Sequence, residues 1–333
     1  MVLSCALLGA GYFGKHYVRL LGEVSGARLS AVFDTALSSD AFQEIKKVHP
    51  GVKRAETFEE ILNDPEIGAV IIATPASTHT SFITLALKAG KHILVEKPMT
   101  ANLSDALSLE RIVQESGKTL MVGHQYLYND YIRRLKEIVD GKALGKIHSF
   151  CASHFYLGPI RRDIGCFWET ATHELAILDY LFGPLMIEGV TGKAVYMRER
   201  SGIEDAATAS FHSSNGLAAS ISVSWFSPEK VRNFFICGEK GIVLFDDIEK
   251  KEKLRLYRYP YPDKDAFKVK SSFFFEPVPQ QVEVCQVDSR EPLLNQLEHF
   301  IHCVQEGVSP LTDLAHGVRV TRQLAQIVDV FQG

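Results

Sequence analysis

The feature that most constrains the fold is a cluster of three glycines that follows an apolar run at the start of the chain. Residues 2–8 are mostly apolar, and residues 9–14 read Gly-Ala-Gly-Tyr-Phe-Gly. Between a strand and a helix, this pattern is typical of a dinucleotide-binding turn. Gly9 allows the tight turn, Gly11 lets the backbone approach a pyrophosphate, and Gly14 lets the helix pack closely on the strand. No basic segment precedes the apolar run, so we interpret it as a buried strand and not as a signal peptide.

The first part of the chain alternates short apolar runs with segments of helical spacing. The predicted strands lie at residues 2–8, 29–33, 52–55, 69–73, 92–96 and 119–122. The predicted helices lie at about 12–24, 38–48, 58–62, 77–89 and 103–116, and Thr57 with Glu60 forms a candidate capping box for the third. Continuous apolar strands at this spacing predict a parallel, doubly wound, Rossmann-type sheet with helices on both faces.

After about residue 124 the pattern changes to a few helices and many short strands. The predicted helices lie at about 130–140, 166–182, 292–306 and 313–331. The predicted strands lie near 147–156, 187–197, 205–212, 217–226, 231–238, 241–246 and 253–259, and residues 260–285 receive no assignment. We therefore expect an α/β chain of two domains. A dinucleotide-binding domain over 1–123 precedes an α+β domain over 124–333, which has an open, mostly antiparallel sheet. The last helix is expected to pack back on the first domain.

Composition excludes several classes of protein. The chain has 333 residues, 36 Lys and Arg, 40 Asp and Glu, and a formal net charge of −4, which gives no general attraction for nucleic acid or anionic lipid. Every apolar run is shorter than the roughly 18–20 residues of a membrane span. The six cysteines form no CxxC pair, which favours reduced thiols and a cytoplasmic protein over a zinc ribbon.

An acidic residue at the end of the second strand indicates which dinucleotide is bound. Asp34 lies twenty residues after Gly14, where a carboxylate hydrogen-bonds the adenosine ribose hydroxyls. Residues 35–37 contain no Arg or Lys, and an acid repels a 2′-phosphate, so NAD(H) is preferred over NADP(H). Tyr12 and Phe13, inside the glycine turn, are further cofactor-binding candidates.

The carboxyl ends of the fourth and fifth strands provide the next candidates, because ligands collect at this edge of a parallel sheet. Lys97 follows the fifth strand and can hydrogen-bond a substrate hydroxyl and stabilise a developing alkoxide. The alternative is an ordinary exposed strand end. Cofactor-binding candidates at these ends are Thr74, Pro75, His79, Glu96 and Lys97, and His79 is equally well explained as a helix-start residue.

In the second half of the chain, one carboxylate and one imidazole are spaced one helical turn apart. Glu169 and His173 are at positions i and i+4, so Glu169 can hold the tautomer of His173 and make it a general base. The alternative is a solvated surface pair. The segment after His173 is similar to a zinc-binding HExxH, but Ile177 replaces the second histidine, so we predict no metal site.

Together these residues resemble the Gfo/Idh/MocA family of glucose–fructose oxidoreductases and inositol dehydrogenases. The motifs that carry the resemblance are Ala73-Thr74-Pro75, His79, Ala89-Gly90-Lys91-His92 and Glu96-Lys97-Pro98. The resemblance implies a catalytic set of Lys97, His173 and Glu169, although the family usually has Asp at the position of Glu169. Ala176 stands where the family often has another Asp. The resemblance also implies a cis peptide at Lys97–Pro98 and a homodimer or homotetramer formed through the open sheet.

Two further segments are similar to the nucleotide-sugar branch of that family, which includes UDP-N-acetylglucosamine 3-dehydrogenases and 3-ketosugar reductases. These are residues 158–163 and residues 223–228, the latter followed by Gly-Glu-Lys-Gly at 238–241. Arg161 and Arg162 are candidates to bind a diphosphate or carboxylate, with a solvated arginine pair as the alternative. Tyr128 and Asn129 match a family Tyr-Asn pair and are candidates to contact sugar hydroxyls.

The expected function is NAD(H)-dependent hydride transfer between nicotinamide and a sugar carbon, with a sugar or nucleotide-sugar substrate. His173 would take the hydroxyl proton and Lys97 would hydrogen-bond the same oxygen. Three alternatives stay open: the same chemistry on a free cyclitol, sugar phosphate or trans-dihydrodiol; a non-catalytic regulator that senses NAD; and an enzyme that retains its cofactor and recycles it.

Overall fold

The chain divides into two compact units in a computed structural model. The structure describes residues 2–197, 203–258, 267–271, 274–277 and 281–332. One unit comprises Met1–Tyr128 with Arg290–Arg322, and the other comprises Asn129–Ser289 with Gln323–Gly333. The expected boundary after residue 123 differs from this division, because the first unit continues to Tyr128 and also includes a segment from the end of the chain.

The first unit contains a six-stranded, wholly parallel sheet in the order β3-β2-β1-β4-β5-β6. The strands are β1 Leu3–Leu8, β2 Ala27–Phe33, β3 Lys53–Arg54, β4 Ala69–Ile72, β5 His92–Glu96 and β6 Leu120–Gly123. The helices between them are α1 Gly14–Leu21, α2 Ser39–Val48, α3 Phe58–Asn63, α4 Ala76–Lys88 and α5 Leu103–Ser116. This confirms the predicted doubly wound sheet. Strand order reverses at β1, which pairs with both β2 and β4 and so opens a crevice for a ligand.

The apolar runs form strands because both faces of this sheet are covered. All four residues of β4 are 0% exposed, as the absence of polar alternation predicts. A polar side chain caps the start of α3 at the expected place. The Thr57 hydroxyl accepts the Glu60 N–H at 3.4 Å, as predicted. The Glu60 carboxylate, however, accepts the N–H of Glu56 at 3.3 Å, one residue before the partner that a capping box would use.

The second unit is built on an eight-stranded sheet in the order β16-β13-β12-β11-β7-β10-β9-β8. Its strands are β7 Ile147–Leu157, β8 Ile187–Val195, β9 Ala206–Ser213, β10 Ala218–Ser224, β11 Phe226–Gly238, β12 Gly241–Asp246, β13 Leu254–Arg258 and β16 Gln281–Val284. All neighbours are antiparallel except β7 and β10, which confirms the mostly antiparallel prediction. β14 Phe267–Ser271 and β15 Phe274–Pro277 form a separate antiparallel pair within the segment left unassigned from sequence. Of the predicted strand 253–259, residue 259 lies outside the described residues.

The remaining helices are α6 Asp130–Asp140, α7 Cys166–Thr170, α8 Thr172–Phe182, α9 Pro292–Glu306 and α10 Leu314–Asp329. The single helix predicted over 166–182 is therefore wrong: it is two helices that meet at Ala171. The ψ of Ala171 is −11°, about 30° from the α-helical value, which interrupts the regular ladder of hydrogen bonds. At the start of α7, Glu204 accepts the Phe167 N–H at 2.9 Å. Among the residues that the structure describes, no helix has the length and apolar character needed to cross a membrane.

Close packing at Gly14 gives a testable prediction about the fold. A Cβ added at Gly14 would lie 1.9 Å from the backbone oxygen of Gly9, whereas one added at Gly11 would meet no described atom within 4 Å. We expect Gly14→Ala to lower the free energy of unfolding by about 2 kcal/mol or more. Gly11→Ala is the matched control and is expected to stay within about 0.5 kcal/mol of the parent. Urea denaturation measures both, and equal stability of the two variants would contradict the packing argument.

Candidate active site

The glycine turn of the first unit is held by the acid at the end of β2. Gly9 has a φ of +84°, which favours glycine. The Asp34 carboxylate accepts the N–H of Ala10 at 2.7 Å through Oδ2 and that of Ala36 at 2.7 Å through Oδ1. A carboxylate has about four acceptor positions, so these bonds leave capacity for ribose hydroxyls. The structure thus gives Asp34 a second role, orienting the turn, that the sequence did not reveal.

The beginning of α1 has the properties that a pyrophosphate requires. No described side chain caps α1, whose N-cap residue is the half-buried Phe13, and its first turn contains no acidic residue. Backbone N–H groups at an uncapped helix start attract phosphate oxygens. Gly11 leaves open space in front of this turn, and Tyr12 is 78% exposed beside it, with the Lys15 ammonium 5.1 Å from its ring centre. These residues fit a bound dinucleotide.

His79 connects the loops that follow β4 and β5. It is 1% exposed, with Nδ1 3.0 Å from the carbonyl oxygen of Pro98 and Nε2 2.9 Å from that of Thr74. Both ring nitrogens therefore lie against backbone oxygens, so His79 bridges the two loops, and its contact with the cofactor stays a prediction. The Lys97–Pro98 peptide is cis, as the resemblance implied.

Glu96 is buried below the segment that carries Lys97. Its Oε1 accepts the Tyr17 hydroxyl at 2.5 Å, and its Oε2 accepts the backbone N–H of Lys97 at 3.3 Å. Gln296 Nε2 donates to the Tyr17 oxygen at 2.9 Å. Burial raises the pKa of Glu96 to about 7, although the Tyr17 hydrogen bond and the Lys97 charge act in the opposite direction. Glu96 therefore orients the backbone of Lys97 from inside the fold, and its predicted contact with the cofactor stays a prediction.

Tyr17 is a site residue that lies within the predicted helix 12–24 and was not among the candidate site residues. A buried tyrosine needs a partner for its hydroxyl, and this requirement was the available signal. Tyr17 is 0% exposed, and burial together with the Glu96 charge raises its pKa well above the ordinary value. The hydroxyl therefore stays protonated and donates to Glu96.

Tyr128 and Asn129 use their polar side-chain atoms within the fold, and their sugar contacts stay predictions. Tyr128 is 0% exposed, and its hydroxyl lies 3.0 Å from the Thr312 hydroxyl, within the first unit. Asn129 uses its side-chain oxygen to accept the Tyr131 N–H at 2.9 Å and so caps α6. Both polar groups are committed to the fold because each would otherwise lie buried without a partner.

In the second unit the two predicted catalytic residues lie on consecutive helices, Glu169 on α7 and His173 on α8. His173 is 6% exposed, and its ring is nearly parallel to that of His154, with centres 5.9 Å apart. Glu169 Oε2 accepts the Tyr156 hydroxyl at 2.9 Å and the Thr170 hydroxyl at 2.8 Å. The expected hydrogen bond from His173 to Glu169 stays a prediction. Among the described residues, no group of three or more His, Cys, Asp or Glu is placed to hold a metal ion.

His154 and Tyr156 of β7 contact the acids on both sides of His173, and sequence analysis did not single them out. Alternate residues of a strand share one face, so the pair at 154 and 156 was the available signal. Both are directed towards α7 and α8, with His154 2% exposed and Tyr156 half-buried. Burial and the Glu169 charge raise the pKa of Tyr156, so its hydroxyl stays protonated.

The arginine pair is also placed differently from the expectation. The Arg161 guanidinium binds both oxygens of Asp163, with Nε at 2.9 Å and Nη2 at 2.7 Å. This bidentate pair uses the planar fork that a diphosphate would need, and a role of Arg161 in substrate binding stays a prediction. Arg162 is exposed and stays a candidate.

Glu96 gives a testable pH dependence. Its pKa is raised from an ordinary 4.5 to about 7, so the folded chain retains a proton that the unfolded chain has released between these values. Stability from this group is present at low pH and is lost as pH rises through 7. Between pH 5 and pH 8, we expect the parent to lose on the order of 2–3 kcal/mol more free energy of unfolding than Glu96→Gln.

Urea denaturation of cofactor-free protein at both pH values measures this difference. Glu59→Gln on the exposed surface of α3 is the control and should keep the parental pH dependence. Identical pH dependence in Glu96→Gln and the parent would show that Glu96 is ionised in the folded chain.

Comparison with known proteins identifies the family. Residues 3–124 match the family model of the oxidoreductase family with an NAD-binding Rossmann fold, and residues 132–244 match the GFO/IDH/MocA C-terminal domain. The chain is 29% identical over 326 residues to scyllo-inositol 2-dehydrogenase (NAD(+)) of Bacillus subtilis, covering 94% of this chain and 89% of that protein. It is 30% identical over 198 residues to scyllo-inositol 2-dehydrogenase (NADP(+)) IolW of the same organism, covering 55% of this chain and 54% of that protein.

Among solved structures, the fold is similar to that of the WlbA dehydrogenase from Bordetella pertussis in complex with NADH and UDP-GlcNAcA. The TM-score is 0.80 at 22% identity, covering 100% of this chain and 97% of that chain. The resemblance found in the sequence is confirmed by the two family models. The chain belongs to the Gfo/Idh/MocA family of oxidoreductases.

Proposed function

We propose that this oxidoreductase transfers hydride between nicotinamide and a hydroxyl-bearing ring carbon of a sugar or cyclitol. The observation that carries the proposal is the position of Lys97. Lys97 follows β5 at the same sheet edge as the glycine turn after β1. The Glu96 carboxylate, bonded to Tyr17, and the His79 ring both contact the segment that carries Lys97. Ligands bind at this edge in doubly wound sheets, so a lysine here meets the reacting end of a dinucleotide.

The proposed chemistry gives separate roles to Lys97 and His173. The Lys97 ammonium donates a hydrogen bond to the substrate oxygen and stabilises the alkoxide character that develops there. His173 takes the hydroxyl proton as a general base, and the Glu169 carboxylate stabilises the imidazolium that results. Bound NAD⁺ supplies the hydride acceptor. In the reverse direction His173 returns the proton to the oxygen of a ketone.

The cofactor proposed is NAD(H) in preference to NADP(H). The Asp34 carboxylate accepts two backbone N–H groups and lies at the end of β2, where it would repel a 2′-phosphate. Residues 35–37 provide no cation to offset that repulsion. The NAD(+)-dependent inositol dehydrogenase that matches most of the chain supports the same choice.

Two substrate classes fit the chain. Residues 158–163 and 223–228 resemble the nucleotide-sugar branch, and exposed Arg162 is available to a diphosphate. A free cyclitol is the second candidate, and two observations support keeping it: Arg161 is already paired with Asp163, and a relative that matches most of the chain is an inositol dehydrogenase. We further propose a homodimer or homotetramer formed through the open sheet, where Phe235 on β11 is 38% exposed.

Substitution of the two proposed catalytic residues tests the mechanism. We expect Lys97→Ala and His173→Ala each to lower kcat by about a hundredfold or more, because each removes a group that handles the reacting proton or oxygen. Both variants should still bind NADH, measured by fluorescence titration. Lys193→Ala and His148→Ala, at exposed positions of β8 and β7, are the matched controls. Near-parental turnover in both test variants would refute the assignment.

A screen of sugars identifies the substrate class. Nucleotide sugars, sugar phosphates and cyclitols are tested for NADH formation, first with NAD⁺ and then with NADP⁺. We expect a lower KM for NAD⁺ and turnover of UDP-activated sugars, with Arg162→Ala raising the KM for those sugars but not for any cyclitol. Turnover of cyclitols alone would select the second candidate. NADH binding without any turnover would indicate a regulator, and cofactor that survives gel filtration would indicate recycling.

A further inference from the structure

Two chains of hydrogen bonds cross β7 and end at the acids on either side of His173. β7 pairs with β10 on one side and β11 on the other. Its inward-facing residues His154 and Tyr156 each accept a hydrogen bond from a side chain of β11 or of the residue just before β11. Each also lies within hydrogen-bond distance of a carboxylate on α7 or α8. The direction of the bonds follows from which groups are able only to donate.

The first chain runs through Tyr156. The indole N–H of Trp225 donates to the Tyr156 oxygen at 2.9 Å. Since an indole nitrogen cannot accept, the tyrosine oxygen is the acceptor and its own hydrogen points elsewhere. Glu169 Oε2 is the available carboxylate at 2.9 Å. Thr170 donates to the same oxygen at 2.8 Å, so Glu169 Oε2 receives two hydroxyl hydrogens.

The second chain runs through His154. Arg232 and His154 are cross-strand partners, and the Arg232 Nε–H donates to His154 Nε2 at 2.8 Å. A guanidinium cannot accept, so Nε2 carries the lone pair and the ring hydrogen is on Nδ1. Nδ1 lies 2.9 Å from Glu174 Oε1 and donates to it. Behind Arg232, Asp247 Oδ2 lies 3.4 Å from Nη1 and completes the chain.

In sequence, His173 lies between the two acids at which these chains end. Glu169 precedes it by four residues and Glu174 follows it directly, while the His154 ring is stacked against its own. The charged and titratable groups that face this cluster are Glu169 from α7, Glu174 from α8, His154 and Tyr156 from β7, Arg232 from β11, and Asp247 with Lys253 behind Arg232. The N–H donor at the start of each chain therefore determines where the hydrogen of Tyr156 or His154 points.

We propose that Tyr156 and His154 are positioning residues for His173, and that their donor bonds reduce the negative charge which Glu169 and Glu174 present to it. Hydrogen bonds to a carboxylate disperse its charge, so the imidazolium of His173 is stabilised less than bare carboxylates would stabilise it. The neutral base is thereby kept available at lower pH. This inference rests on the proposed role of His173, and it gives Trp225 and Arg232 a function in the site.

The test is the titration of His173 itself, which needs no substrate. Histidine labelled with ¹⁵N is incorporated into the whole chain, and the His173 signal is assigned by its loss in His173→Gln. In Tyr156→Phe the ring remains but the hydroxyl is gone, so Glu169 keeps more negative charge. We expect the His173 midpoint to rise by on the order of half a pH unit. Thr170→Val removes the other hydroxyl on Glu169 and should shift the midpoint in the same direction.

Tyr257→Phe, on β13 three strands from β7, is the matched control and should leave the midpoint unchanged. The same spectra report His154, assigned through His154→Gln, and Nδ1–H with an unprotonated Nε2 is the expected tautomer. A folded Tyr156→Phe or Thr170→Val with the parental His173 midpoint would overturn the proposal, as would the opposite His154 tautomer.

Kinetics separates this inference from the proposed function. With an established substrate, the acidic limb of the kcat/KM profile should move to higher pH in Tyr156→Phe, while NADH affinity stays parental. A purely structural role would lower activity without moving that limb, and this result would also overturn the proposal. A His173 midpoint that shifts as expected in a chain whose His173→Ala variant keeps full turnover would instead refute the proposed function alone.

Discussion

The contact between Gly14 and the Gly9 carbonyl is the constraint on which the first unit depends. It brings the start of α1 against the end of β1 at a distance that no side chain permits. Tyr17, one turn further along α1, then reaches Glu96 at the end of β5 with its hydroxyl. Glu96 in turn accepts the backbone N–H of Lys97. The position of the proposed catalytic lysine therefore depends on the absence of a Cβ atom at Gly14, a residue far from Lys97 in sequence.

The two units use the same arrangement to hold a proposed catalytic residue. In the first, Gln296 donates to Tyr17, which donates to Glu96 next to Lys97. In the second, Trp225 donates to Tyr156, which donates to Glu169 one turn before His173. In each case a nitrogen donor makes the tyrosine oxygen an acceptor and directs its hydrogen to a glutamate. A tyrosine is suited to this task because it both accepts and donates while remaining protonated.

Local patterns predicted the fold well because apolar periodicity and glycine turns report short-range geometry. They predicted the parallel sheet, the turn at residues 9–14 and the Thr57 cap. The contacts of the site join residues far apart in sequence, such as Tyr17 with Gln296 and Tyr156 with Trp225, and no local pattern encodes them. Arg161 is different, because its partner Asp163 is only two residues away and could have been recognised. The motif match at Tyr128 did not reveal that this side chain is fully buried.

The segment at 290–322 completes the first unit after the chain has passed through the second. Thr312 accepts the Val122 N–H at 2.8 Å through its backbone oxygen and donates its hydroxyl to the Val122 oxygen at 2.6 Å. This covers part of the outer edge of β6, which would otherwise expose unpaired backbone groups to other chains. During synthesis from the N-terminus, the dinucleotide-binding sheet is therefore exposed at this edge until the last segment emerges. Folding of the first unit is tied to synthesis of residues 290–322, so a product that stops before them would carry an open strand.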